Sequence, residues 1–465
     1  IVNRGLMLML LFMSYGIKAQ LLLPNFFSDN MVLQRNITIP VWGEASPNEN
    51  VEVKFHNQTK KVKANKAGKW MVHLEPEKAG GPYVLVINGK KSIVIKNILI
   101  GEVWICSGQS NMEWVVKQSE GAKEAIAKAK NQFIRHIKID KEIQTVPQSN
   151  LKTSGWQICD STTVVDFTGV GYFFAQKMYQ ELKVPIGLIN VSWGGTNIET
   201  WISKEGFESS DEFKKMIASM PKIALDSLLK LKIDTEYKKL EKLHAFGFDE
   251  KIDTKAYKNV DFNDASWPEL YQPEPWESQT LQGFDGVVWL RKKVFLTADN
   301  CNENASLYLS KIDDEDITYV NGVQIGNSEG WDIERNYKIP KGILKEGENC
   351  IAVRVVDNGA SGGIYGNTKD LKLLVGDAVF PLDGKWKFQI ESVKAKINEN
   401  DFPSLTFNAM INPLIPYAIK GVLWYQGESN ESRAFQYNKA FPLLIKDWRS
   451  KWRQGDYPFY FVQLA

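Results

Sequence analysis

From Leu23 to about Asn97, apolar and polar residues alternate in short segments separated by Gly, Pro and Asn: Ile37 to Trp42, Val51 to His56, Trp70 to Leu74 and Tyr83 to Ile87. Period-two alternation broken by turn residues predicts half-buried strands, and this stretch reads as a small accessory β-sandwich. The pattern then changes. Ile98 to Cys106, Val184 to Val191 and Ala418 to Trp424 are apolar runs that each end in a Gly-rich loop. Between or after them lie segments such as Val170, Phe173, Phe174, Met178 and Leu182, whose spacings of three and four place apolar side chains on one helix face. Strands covered on both faces and alternating with amphipathic helices predict an α/β domain with a mainly parallel sheet flanked by helices.

The third apolar run begins only at Ala418, so a segment is inserted between it and the second. Residues 205–254 are Lys- and Leu-rich with helical spacing at Ile223, Leu225, Leu228, Leu229 and Leu231. Residues 255–393 return to strands and turns: Val287 to Phe295, Ala305 to Leu309, Ile317 to Asn321, Cys350 to Val356 and Leu371 to Val375. This block reads as a second β-sandwich spliced into the α/β domain, whose two parts are 98–204 and 394–465, with the first sandwich at 21–97. The acidic run Ile312-Asp313-Asp314-Glu315-Asp316 lacks the EF-hand spacing and reads as a solvated turn rather than a calcium loop.

At the N-terminus, Arg4, the apolar run Leu6 to Met13 and a small-residue site at Ala19 before Gln20 predict an export signal over residues 1–20, too short to span a bilayer. The first residue is Ile rather than Met, so this end reads as incomplete. The expected location is periplasmic or secreted, with no membrane attachment after cleavage. A formal charge of +2 over 57 basic and 55 acidic residues gives no bias toward polyanions, and no nucleic-acid partner is expected. The spacing of Cys106, Cys159, Cys301 and Cys350 matches no zinc pattern. Export permits a disulfide, for which Cys301 and Cys350 are the candidates.

Chemistry concentrates in three loops. Gly108-Gln109-Ser110-Asn111-Met112 follows the run ending at Cys106, and a serine at a strand-to-helix turn is exposed at the carboxyl end of the sheet beside free backbone N–H groups. Such a serine suits nucleophilic attack, although the same residue also serves as a plain helix cap. Trp193-Gly194-Gly195-Thr196 follows the second run, and paired glycines let a backbone N–H approach a substrate oxygen. Gln426-Gly427-Glu428-Ser429-Asn430 follows the third. In a parallel sheet, loops after the strands emerge at one edge, so the three sets are expected to converge on one pocket.

These segments resemble the sialate O-acetylesterases of the SGNH hydrolase superfamily. The resemblance rests on Gly101-Glu102-Val103-Trp104 leading into Gly108 to Met112, on Trp193 to Thr196 with Glu199 and Trp201, and on Trp424-Tyr425 leading into Gln426 to Asn430. It extends to Asp29-Asn30-Met31-Val32-Leu33-Gln34-Arg35 and Met410-Ile411-Asn412-Pro413-Leu414. It implies a serine-dependent carbohydrate O-acetylesterase in which Ser110 is the nucleophile, the Ser110 and Gly195 N–H groups hold the oxyanion, Gln426 or Asn430 stands near it and Glu428 shapes or orients the site. No metal or organic cofactor is implied, and the partner is an O-acetylated carbohydrate. The 255–393 block resembles the galactose-binding-like jelly roll through Ile312-Asp313-Asp314, Val320-Asn321-Gly322 and Gly362-Gly363.

The resemblance fails at the base. The family's catalytic histidine lies in a late Asp-x-x-His motif that this sequence lacks; its histidines are His56, His73, His136 and His244. Glu241-Lys242-Leu243-His244 has the offset but belongs to a Lys-rich helix outside the α/β domain. The expectation is that the base and its orienting Asp lie beyond residue 465, which leaves the activity of the 465-residue form in question. Rival readings are an acetyl xylan or other polysaccharide esterase and a non-catalytic carbohydrate-binding protein.

Overall fold

Burial along Ser92–Gly108 (β1) changes character midway: Ser92 to Asn97 expose every second residue or so, whereas Ile98 to Gly108 are buried without a break. The first half pairs antiparallel with Gly80–Asn88, and one of its faces meets solvent. The second half lies between parallel strands and is covered on both faces, which is why its sequence runs apolar continuously. This computed structural model describes residues 21–464 except Ser219, 243–252 and Asn302, so the export signal and His244 lie outside the described residues. The chain divides into two compact units, one of residues up to 225 with those from 398 on, the other of 226–397.

In the first unit β1 is shared by two layers. Lys130–Lys138 (β2), Ile186–Ser192 (β3), Gly421–Tyr425 (β4) and Phe459–Phe461 (β5) complete a parallel sheet in the order β5-β4-β1-β3-β2, with Gln157–Asp160 antiparallel on the outer edge. The N-terminal strands Ile39–Glu44, Asn50–Phe55, Lys69–Leu74 and Gly80–Asn88 follow the predicted alternation. Gln58–Lys63, with its sequence QTKKVK, carries too little apolar contrast to be read as a strand; it is an outer strand whose lysines keep the open edge solvated.

The helix Gly169–Leu182 differs from its predicted orientation. The expected apolar face included Phe173 and Leu182, yet these are 40% and 41% exposed, while Gly169, Gly171, Tyr172 and Ala175 are buried. Small residues win this face because they allow close approach: a Cβ on Gly171 would stand 2.8 Å from the Cys106 sulfur in β1. Phe173 is thereby left on the surface.

The second unit holds two antiparallel sheets. One contains Glu269–Gln272, Asp285–Leu296, Glu315–Val320, Val323–Glu329, Gly347–Asp357 and Gly384–Lys394; the other contains Ala305–Asp313, Glu334–Ile339, Gly363–Tyr365, Leu371–Val375 and Ala378–Pro381. Leu290, Val353 and Phe388 from the first and Leu307, Leu309 and Leu373 from the second share one apolar core, to which the helix Leu225–Lys242 adds Leu240. Ile223 and Leu231, expected on the buried helical face, are 41% and 55% exposed. All four cysteines are free thiols, so Cys301 and Cys350 are not paired.

The acidic run at 313–316 corrects the reading of a wholly solvated turn. Asp316 is buried and bonded to Arg335 Nε at 2.9 Å, because β-alternation turns it inward while Asp314 occupies the turn at φ +46°. Nearby, the buried Asp357 accepts the Gly359 N–H at 2.8 Å and leaves Oδ2 without a partner. Burial, reinforced by Asp285, Glu277 and Asp313, pushes its pKa up to about 7; Lys396 stands close by, with its Nζ 2.5 Å from where a Gly359 Cβ would be. The folded state therefore keeps a proton that the unfolded chain releases near pH 4. Stability that is full below that pH is lost as the pH rises toward 7. Asp357→Asn is expected to flatten this loss and to stabilise the 226–397 unit by on the order of 2 kcal/mol at pH 8, read from unfolding curves at pH 4, 6 and 8.

Candidate active site

Ser192 at the end of β3 and Tyr425 at the end of β4 both lie beside Gly108 at the end of β1, so the three motif loops leave the sheet at one level. Backbone bonds lock this edge: Gln109 N–H donates to Tyr425 O at 2.9 Å, and Trp193 N–H to Gly108 O at 3.0 Å. Gly108 has φ +134°, and a Cβ there would fall 2.0 Å from Tyr425 O. Gly108→Ala is accordingly expected to cost about 2–3 kcal/mol and to push the first and third loops apart, checked by thermal unfolding of the two proteins.

Ser110 opens the short helix Ser110–Glu113 and is exposed. Its hydroxyl has no hydrogen-bond partner among the described residues, and neither its own N–H nor that of Gly195 donates to any of them. The second loop stands directly against it, since a Cβ on Gly194 would lie 3.4 Å from the Ser110 Cβ. Gly195 has φ +81°, a conformation that suits glycine, and faces open space.

The side chains of the third loop are mostly committed to holding loops together. Gln426 is buried and its amide donates to Thr196 O at 3.0 Å and Asn430 Oδ1 at 2.8 Å. Asn430 also accepts from Ile198 N at 2.9 Å and donates to Glu199 Oε2 at 3.0 Å. Glu199 in turn pairs with Arg433, tying the second loop to the third. Glu428 accepts from Asn111 Nδ2 at 2.5 Å, while its Oε2 is buried without a partner.

Two further residues position the site and carried no role in the sequence reading. Gln109 is buried, and its Oε1 accepts from the N–H groups of Gly427 and Ser429, both at 3.2 Å. Glu113 accepts the Gly194 N–H on Oε2 at 2.9 Å and pairs with Lys141 through Oε1 at 2.8 Å. Both sit inside the Gly108-to-Met112 motif or directly after it, and an acidic residue three positions past a motif serine was the available signal for Glu113.

Among the described residues, the histidines lie elsewhere. His136 on β2 is buried, stacks on Phe167 at 4.4 Å and accepts from Thr168 N at 3.5 Å. Burial, with Lys138 adding to it, pushes its pKa down to about 3. His56 pairs with Glu77, and His73 lies on the strand Lys69–Leu74.

The profile of the carbohydrate esterase, sialic acid-specific acetylesterase family matches residues 100–233 and 403–465. Human sialate O-acetylesterase is 32% identical over an alignment of 206 residues that covers 38% of this chain and 38% of that protein. The rat sialate O-acetylesterase is 30% identical over 229 residues, 44% of this chain and 42% of that one. The match thus spans about two-fifths of the length of these relatives. A carbohydrate acetylesterase from Xanthomonas citri has the same fold, with a TM-score of 0.54 and 23% identity over 96% of this chain and 60% of that one. Residues 100–233 and 403–465 of this chain are thus similar to the sialic acid-specific acetylesterase family of carbohydrate esterases.

Proposed function

We propose that the protein is a serine-dependent carbohydrate O-acetylesterase that removes acetyl esters from sialic acid or related glycans through an acetyl-enzyme. The observation that carries this reading is the exposed Ser110 with two unengaged N–H groups, its own and that of Gly195, on adjoining loops. Ser110 Oγ attacks the acetyl carbonyl carbon, its proton passes to a base, and the carbonyl oxygen becomes an oxyanion facing the two N–H groups. Collapse expels the sugar oxygen, which takes up the proton, and leaves acetyl on Ser110. Water then adds to the acetyl carbon by the same route and releases acetate.

In this reading Asn430 and the Gln426 Nε2 brace the loops, while Gln426 Oε1 is buried without a described partner, and Glu428 orients Asn111. His136 is buried on β2 and its pKa is pushed down, so it does not serve as the base for Ser110 in this reading. The reading also includes export, from the pattern of residues 1–20, and a galactose-binding-like module at 255–393, supported by its two antiparallel sheets around one core.

The test is acetate release by the protein made from its full reading frame, offered O-acetylated sialic acid and acetylated xylan, with mass spectrometry of the quenched enzyme. Release together with an acetyl group on the Ser110 peptide is the expected result. Release with the acetyl group elsewhere would remove Ser110 as nucleophile, and no release from either substrate would remove the esterase reading.

A further inference from the structure

We infer that Glu113 and Lys141 are a positioning pair for the oxyanion site: Glu113 fixes the second loop so that the Gly195 N–H is left free beside Ser110, and Lys141 cancels the charge that Glu113 brings there. The inference rests on the esterase reading above. Glu113 ends the short helix that Ser110 opens, so a single turn carries both the nucleophile and this carboxylate.

The second loop needs an external hold. Gly194 and Gly195 follow one another, and two glycines in a row leave the peptide between them free to rotate. That peptide carries the Gly195 N–H. The structure grips it from both sides: Gly194 N–H donates to Glu113 Oε2 at 2.9 Å, and Gly195 O accepts from Asn400 Nδ2 at 2.9 Å. Gly194 is also wedged in place, since a Cβ there would stand 3.3 Å from Glu113 Oε2 and 3.4 Å from the Ser110 Cβ. Held in this way, the Gly194 N–H is turned to Glu113, while the Gly195 N–H donates to no described residue.

This hold carries an electrostatic penalty. A carboxylate bonded to the neighbouring peptide repels an oxyanion forming at Gly195, in a site where charge is incompletely screened. Lys141 answers it. Its Nζ stands 2.8 Å from Glu113 Oε1, the oxygen that does not hold Gly194, and 5.8 Å from the centre of the Trp193 ring in the same loop. Glu428, the carboxylate bonded to Asn111 beside Ser110, has a neutral partner. Of these two carboxylates, the one that touches the oxyanion loop is the one given a counter-ion. The pair is 22% and 40% exposed, and ion pairs so open to water add little to stability; its effect falls on the transition state, where charge develops next to it.

The experiment measures kcat, KM and melting temperature for acetate release from O-acetylated sialic acid by the full-reading-frame protein and its Glu113→Ala, Glu113→Gln, Lys141→Met, Lys141→Arg and Glu113→Gln/Lys141→Met variants. Glu113→Ala frees the glycine pair and should lower kcat about 30-fold, short of the roughly 10²- to 10³-fold loss on deleting an oxyanion donor outright. Lys141→Met should lower kcat about tenfold with KM and melting temperature unchanged, the mark of an interaction made only in the transition state, and Lys141→Arg should restore most of it. Glutamine still accepts the Gly194 N–H without a charge, so Lys141→Met should have no further effect once Glu113 is Gln. A Lys141→Met loss of the same size in both backgrounds, kcat within twofold of native in Glu113→Ala, or losses that follow the melting temperature would each overturn the inference while leaving the esterase intact. Failure of the native protein to release acetate would overturn the esterase reading and this inference with it.

Discussion

Ser110→Ala is expected to lower kcat/KM for acetate release by about 10⁴-fold or more, leaving only what the oxyanion donors and binding supply without a nucleophile. The substitution removes Oγ and nothing else of consequence. The side chain is exposed and its hydroxyl bonds to no described group, so the stability cost should stay within about 0.5 kcal/mol and the melting temperature should scarcely move. The short helix, the bond from Trp114 N–H to Ser110 O and both free N–H groups remain. Loss of activity at an unchanged melting temperature thus reports chemistry. Activity retained within tenfold would assign the nucleophile to another residue.

Asp316→Ala should destabilise the 226–397 unit by about 3–5 kcal/mol, the cost of leaving a buried charge unpaired. Arg335 and Asp316 are both fully buried side chains 2.9 Å apart. Asp316 also accepts from Tyr337 Oη at 2.9 Å and from Thr318 Oγ1 at 2.7 Å, so removing it takes the counter-charge from a guanidinium left with only the Gly330, Ile333 and Asp314 carbonyls, and the acceptor from two hydroxyls. The surface pair Lys311 with Asp332 offers the contrast, since both partners are partly exposed and Asp332→Ala should cost less than about 1 kcal/mol. Hydrogen exchange of the strands Glu315–Val320 and Glu334–Ile339 measures the difference within the unit. Equal protection in both variants would show that Arg335 finds other partners.

Much of the site was legible without coordinates because its signals are local. A continuous apolar run that stops at Gly108 marks a strand covered on both faces, and the register then requires the loops after β1, β3 and β4 to leave at one level. What local pattern does not contain is orientation around a helix when two faces compete. Phe173 scored as core by spacing, yet Gly171 and Ala175 pack closer, and the aromatic ring was displaced to the surface. Nor does it contain the partners of polar side chains. The resemblance sets Gln426 or Asn430 near the oxyanion; what it does not contain is that Thr196, Ile198 and Glu199, more than two hundred residues earlier, engage the Gln426 Nε2 and both polar groups of Asn430.

The sequence by itself determined the α/β class, the parallel strands, the three loops and the exposed serine, because each follows from periodicity and turn chemistry within a dozen residues. The tertiary structure alone decided that Glu113 clamps Gly194, that Gln109 holds the third loop and that Asp316 is buried against Arg335. These are matters of which long-range neighbour satisfies a buried donor or covers an apolar face, and only the packed chain brings such neighbours together.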